Sequence, residues 1–484
     1  MTIDQLDPKC VWKHFHALTQ IPRPSKREGK AVEFMENFGK SLGLETIRDE
    51  VGNIIIRKPA TPGMEDRKGI IFQGHLDMVP QNNKDVAHNW DTDPVQTWID
   101  GDWVKAKGTT LGADNGIGCA VAMAVLEATD IPHGPVEALF TIDEETGMTG
   151  AKALKGGLLN GEILINLDSE TEGELYVGCA GGLDTDAEFP YSPVPVESDT
   201  EQFRITIKGL RGGHSGMEIN EGRANSNKLA VRLLLPLLRD LGVQLISIEG
   251  GNMRNAIPRE AVIEIAVPAA NVAEAIKSIE SATADIKKEY ALIDGNLEIV
   301  CEKSSGAKEA IPQNVALNAV KAICACPCNV DRMSLAMPGL VETSNNIAIV
   351  KSDGQKISVR TLMRGSSDSA KYALRDAIQC ALELGGATVR FSGGYSGWQP
   401  NMNSAILITM KQTYAKLFGN EPEVKAIHAG LECGILSTNY PNWDMISCGP
   451  TLMSPHSPDE RLLAPTVGKF WTFIKEVMVN IPKK

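Results

Sequence analysis

Three short apolar runs in this chain each stop at acidic or imidazole side chains, and that repetition constrains the fold more than any other feature. Gly69-Ile70-Ile71-Phe72-Gln73 leads into Gly74-His75-Leu76-Asp77. Val136-Glu137-Ala138-Leu139-Phe140-Thr141-Ile142 leads into Asp143-Glu144-Glu145, and Ile163-Leu164-Ile165-Asn166-Leu167 into Asp168. Runs this short and this rich in branched residues read as buried strands rather than helices. In an open α/β sheet the carboxyl ends of the strands form the functional edge. Three such endings therefore predict one cluster.

Each member has a plainer reading when taken alone. Residues two apart on a strand share a side, so Asp77 can accept the second N–H of His75 and turn its other nitrogen toward a metal. A His-x-Asp pair is also an ordinary core hydrogen bond. Gly108 to Gly118 runs into a helix with Ile117, Val121, Ala124, Val125 and Ala128 on one face. That places Asp114 at a helix N-terminus, where an anion is favoured and backbone N–H groups are free; a simple N-cap is the alternative. Neither GxGxxG nor GxxxxGKS/T is present, which excludes the nucleotide-loop readings. Adjacent carboxylates at 143–145 repel one another unless cations lie between them, a solvated turn being the other possibility.

Composition narrows the setting. The 484 residues carry a net charge of −13, which argues against a nucleic-acid or anionic-membrane surface. There is no apolar run of about 18 residues for a membrane span, and the N-terminus lacks the pattern of a signal peptide. Ten scattered cysteines suit a reducing compartment, so a cytoplasmic location is expected. Cys324, Cys326 and Cys328 lack a second Cys or His pair at zinc-finger spacing and read as reduced structural thiols.

Two helices are expected within residues 8–43, the second opened by a capping box at Ser25-Lys26-Arg27-Glu28. From about residue 184 the texture changes to alternating strands and helices that suit an α+β insertion. The tail then returns to the first texture and carries His428, Glu432 and Pro455-His456-Ser457. The fold class is thus α/β in two domains: a catalytic sheet domain from 1–184 and 392–484, with an inserted α+β domain at 185–391. His and carboxylate donors without Cys suit a catalytic site for zinc or a similar divalent ion. Asp114 is the natural bridge, His75 with Asp168 holding one metal and Glu145 with His456 the other. Glu144, next to a ligand, is free to take a proton from water and pass it to a leaving amine.

His75-Leu-Asp77, Gly112-Ala-Asp114-Asn-Gly116, Asp143-Glu-Glu145-Thr-Gly147, Asn166-Leu-Asp168, Gly212-Gly-His214-Ser-Gly216 and Pro455-His456-Ser457 occur in this order. With them the chain resembles the cocatalytic dizinc peptidases that include PepV, carnosinase and carboxypeptidase G. Arg254-Asn255-Ala-Ile-Pro258 and His428-Ala-Gly-Leu-Glu432-Cys-Gly434 are similar to its cytosolic aminoacyl-histidine (Xaa-His) dipeptidase branch. The resemblance implies two Zn²⁺ per subunit, replaceable by Co²⁺ or Mn²⁺, on His75, Asp114, Glu145, Asp168 and His456. It implies Asp77 as orienter, Glu144 as general base and His214, on the inserted lid, as oxyanion donor. Arg364 is implied for the substrate carboxylate, Asn255 as a further contact and Glu432 for the free amine. A homodimer acting on small dipeptides is expected. The competing expectations are an N-acyl-amino-acid deacylase, whose substrates have no free amine, and a metal-free binding protein that keeps the fold.

Overall fold

The computed structural model describes residues 2–484. The backbone divides into two compact units. One comprises the chain up to Gly178, Trp398–Ala426 and Leu431–Lys484; the other comprises Cys179–Gly397 with Ile427–Gly430.

The first unit is built on an eight-stranded sheet among the described residues, in the order Glu45–Arg48, Ile54–Lys58, Val136–Thr141, Ile70–His75, Ile163–Asn166, Asp444–Ser447, Glu174–Cys179, Glu423–Ile427. Its centre is parallel: Ile70–His75 pairs in parallel with both Val136–Thr141 and Ile163–Asn166, which itself pairs in parallel with Asp444–Ser447. Every residue of Ile70–His75, Val136–Thr141 and Ile163–Asn166 is buried. A parallel sheet covered on both faces requires such unbroken apolar runs, since no face is left for polar alternation. Because the three strands point the same way, their carboxyl ends emerge at one edge, and that edge carries the charged endings.

The helix Ala113–Glu127 starts at this edge. Gly74 permits the approach, because a Cβ there would meet Asn115 Oδ1 at 2.3 Å, and Gly118 does so against the Leu167 carbonyl at 2.4 Å.

Two local expectations are corrected. The helix predicted to open with a capping box begins at Gly29, without a side-chain cap. Ser25 Oγ instead donates to Asp77 Oδ2 at 2.8 Å, and Glu28 Oε1 accepts from the Lys26 and Asp143 amides at 2.7 and 3.1 Å. Asp114 and Asn115 are not helical, with ψ of 112° and 33°, so the regular helix starts after them. The amides of Leu111 to Asp114, expected to be free there, are taken, as described below.

The second unit is a nine-stranded sheet among the described residues. Every pairing is antiparallel, and the long central strands are Val341–Ser352 and Lys356–Gly365. The strand Thr200–Lys208 alternates buried with exposed or half-buried residues from Phe203 onward. That alternation is the mark of a sheet with one face packed and the other partly wet. The buried face meets the helices Ser226–Asp240, Val272–Tyr290, Gln313–Ala325 and Asp368–Leu384 around Leu234, Ile263, Ile323 and Ile378.

Cys324 is exposed, whereas burial pushes the Cys326 thiol up to about 12. No described helix is long and apolar enough to cross a membrane.

Candidate metal centre and the residues around it

In the first unit the five residues singled out as metal ligands converge on Asp114. His75 Nε2 lies 3.0 Å from Asp114 Oδ1 and 3.4 Å from Asp168 Oδ1. On the other side, His456 Nε2 lies 3.2 Å from Asp114 Oδ2 and 2.8 Å from Glu145 Oε2. The two oxygens of Asp114 therefore face two different imidazoles, each with one further carboxylate.

The electrostatics match a site built for cations. Burial alone would lower the His75 pKa, but Asp168, Asp114 and Asp77 raise it well above its usual value. His456 is pushed up to about 11 by hydrogen bonds to Asp114 and Glu145. Burial pushes Asp168 up to about 7, with the charge of Asp114 adding to it. Burial likewise raises Glu145, with Asp114 adding repulsion. Such strains are relieved when positive charge enters among the oxygens.

A fit test for divalent ions rests on atoms left over. Glu145 Oε1 and Asp168 Oδ1 are buried without a hydrogen-bond partner. Ligand atoms of His75, Asp114 and Glu145 lie within 4.8 Å of one another. Nitrogen and carboxylate donors without sulfur suit zinc and its close relatives. These residues fit the group.

Asp77 stands behind His75, its Oδ1 at 3.3 Å from His75 Nδ1. Burial would raise this carboxyl, but His75, the Glu144 amide and Ser25 hold it down at about 2. Its two oxygens also accept from the Glu144 and Glu145 amides at 3.0 and 3.2 Å, so one carboxylate orients an imidazole and fixes the turn bearing both glutamates. Glu28 and Asp143 lie close to it. Their hydrogen bonds come from nearby amides and from the hydroxyls of Thr146 and Thr149, so this second acidic group serves the turn.

Burial raises the Glu144 carboxyl well above its usual range, and the charges of Asp168, Glu432 and Glu145 push in the same direction. Glu432 is 1% exposed; Gln73 Nε2 and Thr141 Oγ1 donate to its Oε2, while Oε1 has no partner.

Three supports were not read from the sequence. Glu460 accepts from four amides of the Asp114 segment. Glu170 is pushed up to about 8 by burial, with repulsion from Asp114 and Asp168. Arg23, 1% exposed, donates from Nη1 to the Leu76 and Asp77 carbonyls at 2.9 and 3.0 Å and from Nη2 to that of Gly112. It joins the end of the central strand to the segment leading into Asp114. Replacing Arg23 with alanine orphans three buried carbonyls and is expected to cost about 2–4 kcal/mol of stability. Urea unfolding would measure this, and an unchanged midpoint would show that the guanidinium carries no such load.

In the second unit His214 and Arg364 come together. His214 sits on the two-residue strand Gly213–His214, paired to Ala256–Ile257. Its Nδ1 accepts from the Gly216 and Met217 amides at 3.2 and 3.0 Å. Burial, with Arg364 nearby, lowers its pKa to about 4, so at neutral pH the ring carries its one proton on Nε2. Arg364, 4% exposed, points Nη2 at that nitrogen from 3.5 Å and Nη1 at the Tyr395 hydroxyl from 3.4 Å, with Nε unpartnered. Two donors facing each other lack the acceptor that would satisfy both. His428, lowered to about 3 by burial and by Arg364, bonds Ser344 Oγ at 2.7 Å beside them. Asn255 is exposed, and only its carbonyl, which accepts from the Ser215 amide at 2.8 Å, has a role in the geometry.

Known proteins share this whole arrangement of sequence and fold. The chain is 44% identical over 483 residues to the cytosol non-specific dipeptidase of Escherichia coli K12, spanning 100% of this chain and 99% of that protein. It superposes on the crystal structure of an aminoacylhistidine dipeptidase from Vibrio alginolyticus with a TM-score of 0.95 and 42% identity, covering 100% of this chain and 99% of the other. Aminopeptidase PepT from Bacillus cereus shares the fold at 16% identity, with a TM-score of 0.58 over 98% of this chain and 99% of that one. The model of the peptidase family M20/M25/M40 matches residues 71–478, and the chain belongs to that family.

Proposed function

We propose that this protein is a metal-dependent dipeptidase that hydrolyses unblocked dipeptides, Xaa-His among them. The observation that carries the reading is the placement of Asp114 between two His–carboxylate pairs with Glu144 alongside. The dipeptidase names of the E. coli and Vibrio relatives support the substrate class.

In this reading the first unit is the catalytic domain and the second is the lid. His75, Asp114 and Asp168 would hold one divalent ion, and Asp114, Glu145 and His456 a second. Zinc is the proposed metal, with Co²⁺ or Mn²⁺ as substitutes. Bound there, the ions supply Lewis-acid polarisation of the carbonyl and acidify a water toward neutrality.

The chain's own residues do the rest. Asp77 accepts from His75 Nδ1 and fixes the ring that presents Nε2. Glu144 takes the proton of the attacking water on its carboxylate and gives it to the departing amine; a carboxyl raised by its surroundings is matched to both halves of that transfer. His214, neutral with its proton on Nε2, donates to the oxyanion. Arg364 binds the substrate's terminal carboxylate, the planar fork matching two oxygens. That anion also supplies the acceptor its guanidinium lacks. Asn255 adds a contact from the lid, and Glu432 Oε1 accepts from the substrate's free ammonium. The E. coli relative is named for the cytosol, which supports a cytoplasmic location; the proposed assembly is a homodimer.

The test is hydrolysis of carnosine, Gly-His and N-acetyl-His by protein stripped of metal and then given Zn²⁺. The free-amine dipeptides are expected to be cleaved only after metal is restored, and N-acetyl-His not at all. Cleavage of N-acetyl-His in their place would make the protein a deacylase. Cleavage undiminished in the stripped protein would refute metal dependence.

A further inference from the structure

We infer that Glu460 is a positioning residue that sets the spacing between Asp114 and His456, and that it governs a divalent ion at the Asp114/Glu145/His456 group more than one at the His75/Asp168 group. This rests on the metal reading proposed above.

Glu460 is 2% exposed, and both of its oxygens are fully engaged by backbone. Oε2 accepts from the Leu111 and Gly112 amides at 2.7 and 3.0 Å. Oε1 accepts from the Ala113 and Asp114 amides at 2.7 and 3.2 Å. These four donors are the ones that the irregular start of the helix Ala113–Glu127 would otherwise leave unpaired. The carboxylate therefore acts as the anion at that N-terminus and holds the segment that ends in Asp114.

Glu460 stands four residues after His456, on a segment without helix or strand structure of its own. Ser454 and His456 both have left-handed backbone, with φ of 55° and 59°. The His456 side chain is 51% exposed. Both ends of the turn are held by the short antiparallel pair of Leu452–Met453 with Arg461–Leu463. Besides the contact of His456 with the Asp114 carboxylate, Glu460 thus ties this turn to the backbone of the Asp114 segment. The Glu460 amide in turn bonds the Ser457 carbonyl at 3.0 Å and closes the turn.

His75 and Asp168 are placed differently. His75 ends a fully buried central strand, and Asp168 follows the strand beside it by two residues. Loosening Glu460 leaves that pair in register. Arg23 continues to hold the Gly112 carbonyl in either case.

The discriminating variant is Glu460→Gln. It keeps the volume, but its NH₂ group faces two N–H donors, so two of the four amides lose their acceptor. Zn²⁺ bound per chain would be measured after dialysis, dissociation constants by competition with a chromophoric chelator, and the visible spectrum with Co²⁺. Wild-type protein is expected to hold two ions. Glu460→Gln is expected to bind the ion at the Asp114/Glu145/His456 group about 10–100-fold more weakly, the usual effect of losing a group that orients a ligand, and the other ion, which shares Asp114, more weakly by a clearly smaller factor. Glu460→Asp, which keeps the charge on a shorter arm, is expected to fall between them.

Two ions bound by Glu460→Gln with wild-type constants, or both weakened alike, would overturn the inference. Should Glu460→Gln fail to fold, Glu460→Asp decides: wild-type affinity at both positions overturns the inference, and a selective loss supports it. A wild-type protein that takes up no metal would sink the metal reading itself, and this inference with it.

Discussion

Asp114→Asn is expected to lower bound metal from two ions per chain to one or none and to reduce kcat by about 10³-fold or more. The effect is large because Asp114 serves both sides: Oδ1 faces His75 and Oδ2 faces His456. An amide in its place turns one acceptor into a donor, aimed at one of the two groups. Losing the charge stabilisation that a metal provides costs several kcal/mol in the transition state, and each 1.36 kcal/mol is a factor of ten in rate. Metal analysis on the same sample as the rate measurement is the check. A variant that holds two ions with wild-type affinity would mean that Asp114 is not shared.

Glu144→Gln is expected to give the opposite pattern: both ions retained, KM close to wild type, and kcat lower by about 10²–10⁴-fold, the range for a positioned general acid–base group. Its backbone amide still donates to Asp77, so the turn carrying Glu145 is undisturbed. Only the proton carrier is removed. If metal is lost along with activity, Glu144 is a ligand and not the base; if kcat is unchanged, another group moves the proton. The two variants together separate holding the metal from moving the proton, which activity alone does not do.

Both experiments concern residues whose positions along the chain were legible at once. His75, Glu144, Glu145 and Asp168 follow apolar runs in which every strand residue is buried, and a parallel sheet brings such endings to one edge. The change of texture near residue 184 was also legible, because the alternation of Arg204-Ile-Thr-Ile-Lys208 is a local property.

Ser25 shows where local reading stops. Its spacing to Glu28 satisfies a capping box, yet its hydroxyl serves Asp77, 52 residues away in sequence. Asp114 shows the same limit. A helix N-terminus was expected to offer free amides there, and Glu460, 346 residues farther along the chain, occupies them. Glu460 stood in plain view within Ser454-Pro455-His456-Ser457-Pro458-Asp459-Glu460, but an acid next to a turn is ordinarily solvated, and nothing local marks this one as buried.

By itself the sequence determined the α/β class, the two-domain arrangement, the strand endings and the identity of the side chains that meet there. These follow from hydrophobic periodicity and from the residue types that metal and proton chemistry require, both of which are written locally. Only the tertiary structure decided which oxygen of Asp114 faces which imidazole, that Arg23 and Glu460 grip the segment before it, and that His214 is neutral beside Arg364. The physical reason is that a buried amide or carbonyl takes its partner from whatever the fold brings within 3 Å, and burial rather than residue type then decides which charges survive.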